Sequence, residues 1–335
     1  MLRLVQLTHH LYGRCVAVVE HEHLRRLHTY QSVYDLALAA LKNDSPLQQT
    51  ALDDRATERM SYTPIYNGET DWCFLPPLDH PEEPSRCLVT GTGLTHKASA
   101  ANRQAMHEED GHEDLTDSMQ IYRWGLEGGR PAKGEVGVQP EWFYKGHGSI
   151  LRGHGETLRV PPYADDGGEE PEIAGAYIID PDGKPRRLGF MAANEFSDHV
   201  MEKQNYLYLA PSKLRDCSVG PELITGGTFD DLSGTVRIDR DGNTVWSKDV
   251  KTGEANMSHS VANIEHHHFK YDVHRRPGDV HVHFYGADAF SFGSGVALED
   301  GDLMTIEWEG MGRPLRNTLK IEAGNGRFVD VDTLT

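Results

Sequence analysis

The stretch EPEIAGAYIIDPDGKPRRLGFMAANE, residues 170–195, decides the fold of this chain. It holds two apolar runs around Asp-Pro-Asp-Gly at 180–183, a strong turn signal. We expect an antiparallel hairpin whose paired residue numbers sum to about 365. That register places Glu195 opposite Glu170, and Glu172 shares a strand face with Glu170 because side chains alternate along a strand. Three carboxylates are therefore predicted to converge.

Three carboxylates within contact distance repel one another, and burial makes each ionised form costlier. Such a cluster is stable chiefly when a cation neutralises it. All-oxygen ligation favours magnesium, manganese or calcium over zinc or copper. We therefore predict that Glu170, Glu172 and Glu195 bind a divalent metal ion, magnesium first among the three. The alternative is a set of solvated glutamates at a strand edge, the usual state of this residue type.

The composition is that of a globular, acidic protein. The chain has 335 residues and 38% hydrophobic content, enough for one large or two ordinary domains. Its net charge of −19 repels nucleic acid phosphates and anionic membranes, so neither is expected as a partner. We predict no signal peptide or membrane span. The four cysteines lack CxxC spacing, so we expect reduced thiols and a cytoplasmic location.

Two lobes are predicted along the chain. Residues 1–80 combine short apolar runs with a helix over 32–41, which favours a small N-terminal α/β lobe. The proline-rich stretch 75–85 marks the boundary. Residues 81–335 are rich in glycine, short β-type runs and turn signals, which predicts a large, mostly β domain. Residues 97–136 are more helical and acidic, and we assign no chemistry to them.

Three motifs carry a resemblance to a known family: EPEI at 170–173, AANEFSDHVME at 192–202 and NYLYLAPSKLRDCSVGP at 205–221. In this order they resemble the fumarylacetoacetate hydrolase superfamily, over about residues 87 to 320. The resemblance implies an α+β fold whose large domain is a mixed β-roll or barrel. It also implies a magnesium site at the three glutamates and a homodimer. Glu195 stands where the family usually has aspartate.

Within that superfamily, the third motif and PEWFYK at 140–145 are similar to the 2-keto-3-deoxy-pentonate (arabinonate or xylonate) dehydratases. The C–C bond hydrolases of the superfamily carry a histidine and a glutamate, three residues apart, that activate water. The corresponding positions here are Ser99 and Asn102, which lack the imidazole and carboxylate that a general base needs. A shift of three residues places His96 at the family histidine. A hydrolase of 2,4-diketo acids is therefore the alternative enzyme.

The resemblance implies a role for individual side chains. Lys213 is the candidate base, or the cation that stabilises an enolate, and Glu141 is the candidate acid or base at the leaving group. The implied substrate-binding residues are Lys145, Ser197 and the run Tyr285, Gly286 and Ala287. The family usually has Thr-Gly-Thr in place of that run. The predicted reaction is the dehydration of a 2-keto-3-deoxy-pentonate, a small 2-keto acid, to 2,5-dioxopentanoate.

Histidine motifs offer a third possibility, a cupin-like metal-binding module. PGDVHVHF at 277–284 puts His281 and His283 on one strand face. Such a pair needs further ligands, and no second motif clearly supplies them. The three histidines at 266–268 cannot all face one ion from a strand or a helix, so we expect a solvated or partly packed stretch.

Overall fold

The computed structural model describes residues 1–97, 117–324, 326 and 328–334. The described strands, in chain order, are β1 Leu2–His9, β2 Gly13–Glu20, β3 His23–Arg26, β4 Met60–Ser61, β5 Trp72–Leu75, β6 Cys87–Gly91, β7 Phe143–His147, β8 Leu151–Arg152, β9 Leu158–Val160, β10 Pro171–Ile179, β11 Pro185–Asn194, β12 Cys217–Val219, β13 Leu223–Thr225, β14 Leu232–Arg240, β15 Asn243–Thr252, β16 Val280–Phe284, β17 Leu303–Trp308 and β18 Leu315–Ile321. The described helices are α1 Val33–Lys42, α2 Leu47–Asp53, α3 Tyr62–Tyr66, α4 Asp117–Gly128, α5 His199–Gln204, α6 Leu209–Lys213 and α7 Val261–Phe269. The chain is thus α+β and mostly β, as predicted.

The hairpin of β10 and β11 forms in the predicted register. Pro171 pairs with Asn194 and Ala176 with Gly189, so the residue numbers sum to 365 up to a bulge after Ala176. The turn is closed by Asp180, whose Oδ1 accepts hydrogen bonds from the amides of residues 182 and 184, at 3.0 and 2.8 Å. An aspartate that accepts hydrogen bonds within its own turn in this way fixes the register of the two strands that the turn connects.

Ten strands of the larger sheet follow one path, in the order β4-β3-β2-β1-β13-β11-β10-β16-β6-β7, while β5, β8 and β12 pair off it. The path has two ends in the described part of the chain, so the barrel that the resemblance implied is not closed. The N-terminal strands reach this sheet through β1, which pairs with β13. The main sheet therefore crosses the boundary near residue 80, and the division into domains 1–80 and 81–335 stays a prediction.

The first helix follows from its sequence. Its cap is Ser32, whose Oγ accepts a hydrogen bond from the Asp35 amide at 3.0 Å and satisfies one of the open donors of the first turn. The buried face consists of Val33, Leu36, Ala37 and Ala40. This spacing is the one from which a helix over 32–41 was predicted.

A second sheet of five strands, in the order β15-β14-β17-β18-β9, packs against the first. Apolar side chains of both sheets form one cluster, in which Ile173 and Phe190 meet Val236 and Ile306. Every residue of β10 is buried, as expected for a strand covered on both faces. Trp308 of the second sheet donates its indole N–H to the backbone oxygen of Glu172 at 3.0 Å. The second sheet thereby fixes the strand end where the predicted metal ligands lie.

The helix α4 falls within the stretch that was predicted to be more helical, 97–136. Residues 98–116, with the predicted Ser99 and Asn102, lie outside the described residues. None of the helices that the structure describes combines the length and the apolar character needed to cross a lipid bilayer.

Candidate metal centre and active site

The hairpin brings the three predicted metal ligands together beside its open end. Glu170 precedes β10, Glu172 is its second residue and Glu195 follows β11. The Glu195 amide donates to the Glu170 carbonyl oxygen at 3.0 Å, which extends the pairing beyond the strands. One carboxylate oxygen of each glutamate lies within 4.8 Å of the other two. All three side chains are buried, so they are not solvated residues of a strand edge.

Two buried lysines hold two of these carboxylates. Lys213, the last residue of α6, places Nζ 2.7 Å from Glu170 Oε1 and 2.7 Å from Glu195 Oε2. Lys145 of β7 places Nζ 2.6 Å from Glu195 Oε1. Lys145 Nζ also donates to the backbone oxygens of Glu195 and Phe196, at 2.5 and 2.6 Å. Buried ammonium groups need such partners, because desolvation of an unpaired charge is costly.

The negative charge is unevenly balanced. Burial raises the pKa of Glu172 well above its usual range, and the charges of Glu195 and Glu170 add to the effect. Burial acts on Glu170 too, but Lys213 and His199 outweigh it and hold the pKa of that carboxyl well below its usual range. In the described part of the chain, the lysine ion pairs of the site reach Glu170 and Glu195 but not Glu172.

These residues fit a divalent cation. Three ionised carboxylates against two ammonium groups would leave negative charge in excess, and the lysine ion pairs of the described residues do not include Glu172. The donor atoms are all carboxylate oxygens, which suit a hard cation such as Mg²⁺. A divalent ion beside Glu172 would favour its charged form and relieve the repulsion among the three groups.

Two predicted substrate residues lie in this cluster. Ser197 Oγ donates toward the Glu195 carboxylate at 3.1 Å and accepts from Lys213 Nζ at 3.0 Å. The contacts of Lys145 hold the Glu195 segment in place. Whether Ser197 and Lys145 also contact a substrate stays a prediction.

Glu141 is buried just before β7 and lies against Gly93, where an added side-chain carbon would overlap its Oε1. Phe143, two residues later, packs against the same glycine. The ring of Phe143 lies 4.9 Å from Lys213 Nζ. Glu141 and Phe143 thus both border Gly93, and Phe143 also contacts Lys213.

Of the predicted substrate-binding run 285–287, one residue borders the carboxylate cluster and another points its side chain into the core. The amide of Gly286 donates to Glu172 Oε2 at 2.7 Å, so the backbone here borders the carboxylate cluster. The Tyr285 hydroxyl instead meets the Tyr177 hydroxyl in the core, and its carbonyl oxygen accepts from Thr95. A substrate contact in this run would therefore come from the backbone beside Gly286.

His96, the residue that would favour a hydrolase, is fully buried and engaged on both nitrogens. Thr95 Oγ1 donates to the carbonyl oxygen of Tyr285, so it must accept from His96 Nδ1 at 2.9 Å. His96 Nε2 then accepts from Thr252 Oγ1 at 3.1 Å. Burial lowers the pKa of this imidazole to about 4. Among the described residues, the hydrogen-bond partners of His96 are therefore two threonines, and none of them is a carboxylate.

The histidines of the cupin-like alternative are packed rather than aimed at one point. His283 meets Thr90 Oγ1 at 2.8 Å and Thr92 Oγ1 at 2.9 Å, and His281 Nδ1 meets His268 Nε2 at 2.9 Å. Among the described residues, neither histidine joins a group of three converging ligand atoms. The run 266–268 is partly packed, as expected, with His266 exposed and the next two buried.

Two polar groups of the site were not predicted from the sequence. His199 Nε2 lies 3.3 Å from Glu170 Oε1, and that carboxylate raises the pKa of the imidazole although burial opposes it. Glu169 is buried beside the ligands and accepts from the amide and hydroxyl of Ser291, at 2.6 and 2.7 Å. For His199, the sequence offered one signal. Asp198 is a typical helix cap, and its side chain caps α5, which places His199 in the first turn of that helix.

Sequence relatives cover part of the chain. No protein-family model matches it. A 2-dehydro-3-deoxy-D-arabinonate dehydratase of Saccharolobus solfataricus is 31% identical over 122 residues, which are 35% of this chain and 40% of that protein. A protein of Haloferax volcanii named probable 2-keto-3-deoxyxylonate dehydratase is 29% identical over 121 residues, again 40% of its length. The chain therefore matches less than half the length of these relatives.

Solved structures share the fold over nearly the whole chain. A 2-keto-3-deoxyarabinonate dehydratase gives a TM-score of 0.72 at 21% identity, with 96% of this chain and 100% of that one covered. A 2-keto-3-deoxy-D-arabinonate dehydratase complexed with magnesium and 2,5-dioxopentanoate gives a TM-score of 0.71 at 20% identity, with 96% of this chain and 100% of that one covered. An isomerase from Mycobacterium marinum, named for 2-hydroxyhepta-2,4-diene-1,7-dioate, gives 0.59 at 17% identity over 97% of this chain and 100% of that one. The two sequence relatives carry names of the pentonate dehydratases that the motifs resemble, and the solved structures show that the fold is shared.

Proposed function

We propose that this chain is a magnesium-dependent dehydratase that converts a 2-keto-3-deoxy-pentonate into 2,5-dioxopentanoate and water. The observation that carries the proposal is the buried cluster of three glutamates with Lys213 between two of them. It is supported by a solved dehydratase of the same fold, complexed with magnesium and 2,5-dioxopentanoate. The name of the Saccharolobus solfataricus relative points to the same substrate class.

The residues that would hold the metal are Glu170, Glu172 and Glu195. Bound there, a magnesium ion would neutralise these carboxylates and act as a Lewis acid toward the oxygens of a 2-keto acid. Gly286 orients Glu172 through its amide, while Lys145 and Ser197 orient Glu195. We propose that a substrate carboxylate lies near the backbone of residues 286 and 287, with Lys145 and Ser197 within reach.

The elimination needs one group at C3 of the substrate and one at the C4 hydroxyl. Lys213 is proposed to act at C3, either by taking the proton or by stabilising the negative charge that its loss creates. Glu141 is proposed to protonate the C4 hydroxyl as it leaves. The C3–H and C4–O bonds break and water is released. Proton shifts from C5 and its hydroxyl to C3 and C4 then give the aldehyde of 2,5-dioxopentanoate.

The test is a product assay on the purified protein. With Mg²⁺ and 2-keto-3-deoxy-D-arabinonate we expect 2,5-dioxopentanoate, and we expect a chelator to stop its formation until Mg²⁺ is returned. The Glu172→Ala variant should be inactive, while Glu309→Gln, a change of an exposed glutamate, should retain activity. Pyruvate from a 2,4-diketo acid, with no dehydration, would instead identify the hydrolase alternative.

We further propose a cytoplasmic homodimer. The cysteine spacing supports the location, and the resemblance supports the dimer. Light scattering during gel filtration would measure the assembly, and a monomer at micromolar concentration would contradict it.

A further inference from the structure

His199 is a buried histidine at the candidate metal centre that the proposed reaction does not use. It is the first residue of α5, and only 3% of its surface is exposed. The start of this helix is fixed by the Asp198 side chain, both of whose carboxylate oxygens have a partner. One carboxylate oxygen of Asp198 accepts from the Met201 amide at 2.9 Å, and the other pairs with Arg215 at 2.9 Å. The backbone at His199 is therefore held by the contacts of Asp198, independently of the imidazole.

The imidazole ring is clamped on its faces and at one edge. It stacks on Phe290, with centroids 4.7 Å apart and planes 8° apart, and on Phe292 at 5.2 Å and 29°. Its Nδ1 edge faces Gly168, where any side-chain carbon would overlap Nδ1 and Cε1. A ring confined in this way cannot turn away. Its other nitrogen, Nε2, is thus aimed at Glu170 Oε1, 3.3 Å away.

Glu170 is consequently held by two donors on the same oxygen, because Lys213 Nζ also contacts Oε1, at 2.7 Å. The aromatic clamp, formed by Phe290 and Phe292, is itself connected to Glu169, the residue before Glu170. Ser291, which lies between the two phenylalanines, donates its amide and its hydroxyl to Glu169. The clamp, the histidine and the carboxylate of Glu170 therefore form one connected unit.

We propose that His199 is a positioning residue that holds Glu170 toward Glu172 and Glu195 in the orientation needed to bind the divalent cation. The proposal rests on the proposed metal-dependent function. Loss of a hydrogen-bond partner of a metal ligand typically weakens metal affinity by about 10- to 100-fold. Because His199 acts through Glu170, its loss should be compensated by a higher concentration of metal.

The test is calorimetric titration of Mg²⁺ into the purified full-length chain, with the thermal midpoint measured in parallel. His199→Leu removes the donor at similar volume, and we expect about 10- to 100-fold weaker binding. His199→Gln keeps an N–H donor near the place of Nε2 and should recover most of the affinity. His266→Gln, a change of an exposed histidine in the last turn of α7, is the matched control and should bind as the wild type does.

Kinetics separate positioning from catalysis. For His199→Leu we expect a raised Mg²⁺ requirement with kcat near the wild-type value at saturating Mg²⁺. If His199→Leu does not fold, Gly168→Ala and Phe292→Leu provide the test, because both disturb the packing of the ring without replacing the imidazole. Each should weaken Mg²⁺ binding by several-fold, and unchanged binding in both would overturn the inference.

The failures are distinguishable. A wild-type protein that binds Mg²⁺, together with a folded His199→Leu variant of the same affinity, would overturn the role of His199 and leave the proposed function intact. A wild-type protein that binds no divalent cation would overturn the proposed function and the inference with it.

Discussion

Two buried polar clusters on neighbouring strands solve the problem of burial in opposite ways. At the end of β10, Glu170, Glu172 and Glu195 keep charge in the interior with the help of two lysines. On β16, His281 and His283 avoid charge altogether. With all three carboxylates ionised, the first cluster would have an excess of negative charge that a divalent cation could neutralise. The second is neutral, because burial lowers the pKa of both imidazoles, and its contacts are those of packing.

Hydrogen-bond direction shows how the histidines of this cluster stay neutral. The Trp142 indole can only donate, so His268 Nδ1 accepts from it at 3.2 Å. His268 Nε2 must then carry the proton that it donates to His281. The His274 ring lies 4.7 Å from the His268 ring, centroid to centroid. Its Nδ1 donates to the backbone oxygen of His268, and no carboxylate contacts it among the described residues. Burial lowers the pKa of His281 and of His283 to about 3.

The largest expected effect is at Glu172, the carboxylate without a lysine in the described residues. Glu172→Gln should reduce Mg²⁺ affinity by about 10²-fold or more, since the loss of a ligand should exceed the loss of a ligand's hydrogen-bond partner. Without metal, the same change should not destabilise the protein, because a neutral amide relieves buried repulsion. Calorimetry and thermal melts with and without Mg²⁺ would measure both. A large loss of stability in metal-free protein would contradict the idea of excess charge.

Removing Lys213 tests the opposite side of the same balance. Lys213→Met leaves Glu170 and Glu195 with one cation fewer, and breaking a buried ion pair typically costs about 3–5 kcal/mol. We expect Mg²⁺ to restore part of this loss, because it neutralises the same carboxylates. Urea unfolding at a series of Mg²⁺ concentrations is the measurement. If Mg²⁺ restores nothing, the lysine and the metal do not share these ligands.

The histidine cluster should make stability depend on pH. The folded pKa values of His268, His281 and His283 lie below the usual 6.5, so below pH 6.5 the unfolded chain binds protons that the folded chain does not. Stability should therefore fall as the pH drops from about 6.5 toward 3. The slope approaches about 1.4 kcal/mol per pH unit for each histidine. Urea unfolding between pH 7.5 and 5 would measure it, and His281→Asn should flatten the slope.

The smallest effect tests whether the two clusters are independent. Thr90→Val removes the hydroxyl that meets His283 Nδ1 and should cost about 1–2 kcal/mol of folding stability. Mg²⁺ affinity should stay at the wild-type value, because Thr90 contacts none of the three glutamates in the described residues. An altered Mg²⁺ affinity would show that the histidine cluster supports the metal centre as well.

Local sequence was sufficient for the hairpin. Alternation, the Asp180 turn and the spacing of three glutamates predicted the register and the convergence of Glu170, Glu172 and Glu195. The sequence could not reveal that Lys145 binds Glu195, or that His199 is clamped between Phe290 and Phe292. Those contacts join residues about 50 and 90 positions apart. No short-range pattern encodes such pairs.

The open sheet that runs from the N-terminal strands to β7 was also a tertiary outcome. The motifs implied a β-roll or barrel, but closure depends on how many strands pair and at which edge, which no local pattern sets. Whether His281 and His283 bind a metal or are packed in the core also depended on tertiary structure. Their strand alternation is compatible with a metal site, and only the neighbouring hydroxyls of Thr90 and Thr92 and the ring of His268 identify them as packed.

The sequence by itself determined which groups carry charge and which strand face they share, because a turn aspartate and a two-residue repeat act over a few positions. Tertiary structure decided which charges are neutralised and which are left in excess. The energy of a buried charge depends on everything within a few ångströms, and in this protein most of those neighbours come from distant parts of the chain.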